Sequence, residues 1–346
     1  MLKTPKATSL VKILAVIIFC LTALTGISAA REYTLTGKTM GTYYRIKFNS
    51  PVKVSTSLWR EKTEMRLKEV NARLSMYRKD SEISRFNKTP KDQPFRLSKD
   101  FNRVLLQCRD MHTLSRGAWD GTVKPLVDLW GFGTRGRSDE IPSSREIESA
   151  LARTGFDKLI LKDATLTKTA PGITLDLGSI AKGYGVDEIA RLFSGAGIRD
   201  YLVEIGGELA GSGRNKRGKP WAVGISNPEK STINPGLFKV ISLDNMAIAT
   251  SGNYRNFFET GGKTYSHIID PRTGYPVENK VVSASVITGT CTRADGLATA
   301  LMVMDTDRGL KMINSLPGTE CMIIQKQGET LVPIRSKGFS SFEVTP

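Results

Sequence analysis

Asp176, Ser179 and Lys182 stand in LDLGSIAKGYG (175–185), a stretch whose order suits an anionic ligand. Asp176 ends an apolar run, Gly178-Ser179 opens a helix, and Lys182 falls in its first turn. Unpaired amides at a helix start favour groups such as a pyrophosphate, and Asp176 is placed to accept from a ribose or a ring amide. The same residues also read as an ordinary helix cap beside a solvated lysine. In ADGLATALMV (294–303), Asp295 and Thr299 are four apart at a helix start, hence on one face. A carboxylate and a hydroxyl are hard oxygen donors, of the kind Mg²⁺ takes together with water and substrate phosphates. The alternative is that Asp295 caps the helix and Thr299 bonds back within it.

Proton transfer narrows to two histidines. His112 lies inside an amphipathic stretch and reads as structural or surface. His267 sits in YSHIIDPRTGYPV, at a strand end beside Asp270 and a Pro271–Gly274 turn, and a group titrating near neutrality next to an acid suits general acid–base work. GAWDGTVKPLVDLWGFG (117–133) puts Trp119, Asp120 and Thr122 after a helix stop, then Trp130 and Phe132. Aromatics beside a carboxylate suit a flat polar heterocycle, held by stacking and an edge hydrogen bond. Met40-Gly41-Thr42 and Met76-Tyr77 add soft and aromatic surface in loops.

Several chemistries are excluded. EIGGELAGSG has glycines at 206, 207, 211 and 213, which miss the G-x-G-x-x-G spacing and lead toward a strand, not a helix. Tight turns explain them better. No glycine run ends in Gly-Lys-Ser/Thr, and neither a nucleophile elbow nor HExxH is present.

The elements that must position these residues alternate irregularly. Tyr33–Phe48 reads as strand, loop and strand. Ser57–Leu74 reads as a helix with Leu58, Met65, Val70 and Leu74 on its apolar face. Further helices are expected over 101–116, 145–153, 180–193, 295–304 and 307–316, and strands at LILKD, TLTK, ITLDL, YLVEI, WAVGI, FKVISL, MAIAT, KTYSHIID, VVSASVIT, CMIIQK and TLVPI. Antiparallel-looking runs, not strict βαβ alternation, favour an α+β fold of mixed or antiparallel sheets with packed helices. No linker forces a boundary, so residues 31–346 read as one catalytic unit.

The 346 residues are 40% hydrophobic and 24% charged, and the 32 Gly and 15 Pro lack a repeat period, which excludes disorder, multi-span membrane and collagen-like classes. Lys3, Lys6 and Lys12, an apolar run from Ile13 to about Leu24, and Ser28-Ala29-Ala30 form a secretory leader over residues 1–30. Phe19 before Cys20 argues against a lipoprotein. Cleavage after Ala30 implies an exported, periplasmic protein. Removing the leader's three lysines takes the net charge from +16 to +13, but acids interleave with the bases and nucleic acid is not an expected partner. Cys108, Cys291 and Cys321 have irregular spacings and read as buried small hydrophobes.

Taken together, MGTYYRI, LSMYRKDSEISRFN, GAWDGTVKPLVDLWGFG, LDLGSIAKGYGVD, LVEIGGELAGSGRN, IATSGNYRNFFETGGKTYSHIIDPRTGYPV and ADGLATALMVM resemble, in order, the signatures of the ApbE family of FAD:protein FMN transferases. The resemblance runs from about residue 36 to 305. It implies an enzyme that uses FAD and Mg²⁺ to place FMN on a Thr or Ser hydroxyl of another protein, releasing AMP. Acceptors implied are subunits of Na⁺-translocating quinone reductase or Rnf-type complexes at the inner membrane's outer side. By motif position, Met40, Tyr77, Ala118, Trp119, Asp120, Asp176, Lys182 and Ile269 would hold the flavin nucleotide. Asp295, Thr299 and the Ser179 carbonyl would hold the metal, with His267 and Asp270 at the reacting phosphate. Asn253 stands where SGD is frequent, and Gly121 replaces a frequent Pro. A hydrolase splitting FAD to FMN and AMP shares every motif; a non-catalytic flavin carrier would lose the metal ligands, which are present here.

Overall fold

The computed structural model describes residues 30–133, 141–229, 236–253, 257–260 and 263–344. The leader expected over residues 1–30 therefore lies outside the described residues, apart from Ala30. Strands β1 (Arg31–Thr39) and β2 (Thr42–Ser50) form a hairpin on a two-residue turn, Met40 and Gly41, both at positive φ (50° and 75°). Such a turn matches the twist of the paired strands. Along β2, Tyr44, Ile46 and Phe48 point inward while Tyr43 and Arg45 face out.

Helix α1 (Thr56–Leu74) is capped by Ser55, whose hydroxyl accepts from the Leu58 amide at 3.3 Å. Its buried stripe is Trp59, Thr63, Leu67, Val70 and Leu74. Leu58 and Met65, expected on that face, are exposed, because the 59/63/67/70/74 spacing follows the 3.6-residue period and excludes them. Helix α2 (Glu82–Lys88), the short strand β3 (Phe95–Arg96) and helix α3 (Lys99–Ser115) follow. Helix α3 stops at Arg116 and Gly117, both at positive φ. Helices α4 (Lys124–Leu129) and α5 (Ser144–Leu151) precede the hairpin β4 (Leu159–Lys162) and β5 (Thr165–Lys168).

The run ITLDL is not a strand. Residues 173–177 carry no regular secondary structure and join no sheet. Asn87 clasps the middle of the segment instead: its side-chain amide donates to the Leu175 carbonyl at 2.9 Å, and the Leu175 amide donates to its Oδ1 at 2.7 Å. The Asp176 amide donates to the Gly121 carbonyl at 2.7 Å. One side chain thus replaces a neighbouring strand in satisfying the main chain.

Helix α6 (Gly178–Gly195) leads into β6 (Tyr201–Ile205) and β7 (Glu208–Ser212). Then come β8 (Trp221–Ser226), β9 (Leu237–Leu243), β10 (Met246–Gly252), and the hairpin β11 (Phe257–Thr260) and β12 (Lys263–Ser266). The chain continues as β13 (Val281–Thr288), α7 (Cys291–Val303), α8 (Thr306–Asn314), β14 (Glu320–Gln327) and β15 (Thr330–Arg335). Eight strands form one sheet in the order β1-β2-β6-β7-β10-β13-β14-β15, every pair antiparallel. Helices α3, α6 and α7 bury one face against Ala249, Ala284, Val286 and Ile323. The hairpin β8–β9 covers part of the other through Val223, Ile225, Ile241 and Leu243. The fold is α+β, with strands drawn from both ends of the chain into one sheet. Cys108, Cys291 and Cys321 are buried and free, as their spacing suggested. Among the described residues no helix is long and apolar enough to cross a membrane.

The Asn87 clasp sets an expectation. Asn87→Ala leaves two backbone groups of Leu175 unpaired, so stability should fall by about 1–3 kcal/mol. A urea midpoint equal to wild type would show that the clasp is dispensable.

Candidate active site

Helices α6 and α7 cross where residue 183 has no side chain. A Cβ on Gly183 would collide with the Cys291 carbonyl and lie 2.9 Å from the Asp295 Cβ. The close crossing lets the Gly183 amide donate to Asp295 Oδ2 at 3.0 Å. Asp187, one turn further along α6, accepts from the Cys291 amide at 2.8 Å, the Thr292 amide at 2.9 Å and the Thr292 hydroxyl. It therefore caps α7 from outside that helix. Helix α7 begins at Cys291, four residues earlier than its pattern suggested, so Asp295 lies one turn inside and is not the cap.

Between these helices and the sheet end sits a charged cluster. Lys182 donates to Glu208 Oε1 in a close ion pair, with Asp295 facing the same lysine. Glu208 and Asp295 are each 3% exposed. Burial and the Asp295 charge push the Glu208 carboxyl up to about 7, against the opposing pull of Lys182. Burial also raises Asp295, offset in part by Lys182 and the Gly183 amide. Burial disfavours the charged form of Lys182, but Asp295 and Glu208 outweigh it and its ammonium is held above the usual range. Glu208 Oε2 is buried without a hydrogen-bond partner. Glu208 was missed in the sequence because the glycines before it were read only as turns. The available signal was an acid immediately after Gly-Gly at a strand start.

Thr299 also reaches the sheet, its hydroxyl 3.1 Å from Ser251 Oγ at the end of β10. Among the described residues no group of three His, Cys, Asp or Glu could hold a metal. Hard oxygens that could hold a divalent cation are the Asp295 carboxylate, which accepts from the Gly183 amide, the Thr299 hydroxyl and the Ser179 carbonyl. Two buried carboxylates share one lysine, which leaves a negative balance that such a cation would offset.

The remaining expected residues fall into three settings. Asp176 Oδ1 accepts from the Gly178 amide at 2.9 Å at the start of α6, and burial lifts its carboxyl above the usual range. Trp119, 2% exposed, donates its indole N–H to Ser179 Oγ at 3.0 Å, which ties the 117–123 segment to the same helix start. Ala118 is buried beside it. Asp120 is saturated by protein donors: the Thr122 amide and hydroxyl at 2.7 and 2.6 Å, and the Phe156 amide at 2.9 Å. His112 Nδ1 lies 3.3 Å from Asp120 Oδ2, and this carboxylate holds the imidazole above its ordinary range. His112 is thus structural. Met40 packs against both main cores, and Tyr77 is 83% exposed.

His267, Ile269 and Asp270 form a separate group. The His267 ring meets Phe132 edge-on at 6.3 Å. Ile269 is buried and bridges to Pro276. Asp270 takes Arg272 Nε and Nη2 at 2.8 and 2.7 Å and also accepts from the Arg272 amide, so it anchors the turn. A Cβ at Gly117 would lie 3.8 Å from Arg272 Cγ, which puts this turn against the residues leading into Trp119.

An α+β chain with a desolvated carboxylate–lysine cluster at a helix crossing has the makings of an enzyme acting on a charged substrate. Residues 40–323 match the ApbE family, and the chain belongs to it. It is 42% identical over 316 residues to a FAD:protein FMN transferase of Vibrio cholerae, spanning 90% of this chain and 93% of that one. The Haemophilus influenzae FAD:protein FMN transferase is 41% identical over 286 residues, spanning 81% and 82%. The solved structure of the flavin transferase ApbE from Vibrio cholerae superposes with a TM-score of 0.83 at 40% identity, covering 90% of this chain and 99% of that one. The apo Pseudomonas stutzeri flavinyl transferase ApbE gives 0.82 at 35% identity, covering 90% and 97%.

The cluster predicts a pH signature. A carboxyl raised to about 7 in the fold contributes stability that is fully present below its unfolded value and is lost as pH rises through about 7. In chelator, the wild type should lose melting temperature between pH 5 and pH 8, and Glu208→Gln should lose markedly less. Equal losses would mean that Glu208 titrates as an ordinary carboxylate.

Proposed function

We propose that this chain transfers FMN from FAD to a threonine or serine hydroxyl of an acceptor protein, requires Mg²⁺ and releases AMP. The observation that carries the reading is the Lys182–Glu208–Asp295 cluster, whose two carboxylates are buried, in a chain of the ApbE family whose relatives are named for this transfer. A bond forms between the acceptor oxygen and the FMN phosphorus, and the bond from that phosphorus to the bridging oxygen on the AMP side breaks. The hydroxyl proton passes to a base. Such transfers depend mainly on positioning and charge neutralisation.

Each part of the chain then has a task. The first-turn amides of α6 and Lys182 would meet the pyrophosphate. Asp176 would accept from a ribose hydroxyl or a ring N–H. The exposed Tyr77 ring, with Met40 and Ile269, would line the flavin, while Ala118, Trp119 and Asp120 fix the floor from inside. Asp295, Thr299 and the Ser179 carbonyl would hold Mg²⁺, which supplies neutralisation of pyrophosphate charge. His267 is the favoured base, because Asp270 is committed to Arg272 and is a poorer acceptor. The leader would export the protein to the periplasm, where subunits of Na⁺-translocating quinone reductase or Rnf-type complexes present the hydroxyl.

Incubation with FAD, Mg²⁺ and such a subunit should add one FMN to the acceptor, read by intact mass. An unchanged acceptor mass with FAD consumed would mean hydrolysis instead. Asp295→Ala should lose nearly all transfer while keeping its circular dichroism, and chelator should abolish transfer by the wild type; full activity in chelator would refute the metal role.

Loss of the base is separable from loss of packing. His267→Asn should reduce turnover about 10²–10⁴-fold with FAD binding, followed by flavin fluorescence, near wild type. Retention of more than about a tenth of the activity would move the base elsewhere.

A further inference from the structure

Strand β8 is paired on one side only. Its partner β9 has a second neighbour, through the Ile241–Glu343 bridge and the Val344 amide on the Val240 carbonyl at 3.0 Å. Among the described residues the outer edge of β8 has no backbone partner. That edge borders a groove of roughly 320 Å³. The floor consists of outward side chains of β2 and β6, chiefly Arg45, Lys47, Leu202 and Glu204, continued by Leu209 of β7. Beyond the groove β8 and β9 cover the same sheet face. The second layer therefore leaves the outward face of β2 and part of β6 uncovered.

The chemistry of this opening selects its occupant. A free strand edge offers main-chain donors and acceptors in a row, which an extended polypeptide satisfies by adding as a further strand. Alternate side chains of that strand would point down onto Leu202 and Leu209 and toward Arg45 and Lys47. Two cations against the single carboxylate of Glu204 favour acidic side chains at those positions.

One end of the groove is adjacent in the chain to a residue of the candidate active site. It ends at Gly206 and Gly207, the β6–β7 turn immediately before Glu208. Both glycines have positive φ, 64° and 106°, and nothing lies within 4 Å of a Cβ built on Gly207. A partner backbone can therefore approach closely there. Thr250, in the groove wall, adjoins Ser251, whose hydroxyl meets Thr299 on the opposite face. A chain lying in the groove reaches the sheet rim beside the cluster.

We propose that the free edge of β8 docks the acceptor polypeptide as an added strand with alternating apolar and acidic side chains, which holds the acceptor chain against the Gly206–Gly207 rim. This rests on the transfer function proposed above. The test uses the purified enzyme with FAD, Mg²⁺ and a quinone-reductase acceptor subunit. Arg45→Glu/Lys47→Glu should raise KM for the acceptor about tenfold or more, the size expected when two partly exposed attractions become repulsions. FAD affinity should stay within about twofold, and Arg45→Lys/Lys47→Arg should restore the wild-type KM. In hydrogen exchange, the acceptor should slow the amides of 221–226. An unchanged KM in the charge-reversed enzyme, or no protection of β8, overturns the proposal. So does protection that grows with enzyme concentration in the absence of acceptor, which would mark the edge as a contact between copies. If the wild type leaves the acceptor mass unchanged, the transfer function fails, while exchange protection of β8 by the acceptor still decides docking.

Discussion

The closeness of α6 and α7 is the constraint on which the rest depends. With hydrogen alone on the α-carbon of residue 183, the Cys291 carbonyl and the Asp295 side chain can sit against α6. Asp187 fixes the same crossing by capping α7 through Cys291 and Thr292. A second glycine extends the close packing, since a Cβ on Gly296 would lie 2.9 Å from Met111 Cγ of α3. Three helices are thereby held at one depth over the sheet. Asp295 is carried into the interior, where its charge acts on Lys182 and Glu208 at low dielectric.

This burial has an electrostatic consequence. Two buried carboxylates share one partly exposed lysine, so the cluster is poised for a further positive charge or for a proton. Structural ion pairs elsewhere are balanced differently. Arg66 bridges Asp100 and Glu188 at 2.7 Å each between α1, α3 and α6, and both acids are lowered despite the burial that opposes it. The contrast separates a clasp that welds helices together from a cluster that retains an unpartnered oxygen.

Around the cluster the protein uses buried polar contacts as braces. Trp119 is tied to Ser179, Asp120 is saturated by Thr122 and Phe156, and Trp130 donates to the Gly274 carbonyl at 2.8 Å. These link the 117–130 segment both to the start of α6 and to the turn that follows His267. Residues separated widely in the chain are thus held relative to one another by side chains that point inward.

The sequence by itself determined the α+β class, most element positions and the family. These follow from local period, from turn chemistry at Met40-Gly41 and Arg116-Gly117, and from ordered motifs. The family resemblance also pointed to Asp295, Thr299 and the Ser179 carbonyl for a metal and to Lys182 for the flavin nucleotide. What the sequence left open depended on contacts between distant segments. Hydrophobicity alone made ITLDL look like a strand, but Asn87, 88 positions away in sequence, takes the hydrogen bonds a neighbouring strand would have used. The apolar face of α1 was misjudged because Leu58 and Met65 are hydrophobic without facing a partner. Asp120 looked like a free ligand-binding acid until the fold surrounded it with donors, whereas Glu208 looked unremarkable until folding desolvated it beside Asp295. Residue type and spacing are set along the chain, but which carboxylate is satisfied and which is left wanting a partner is decided by burial and neighbours, and only the tertiary structure supplies those.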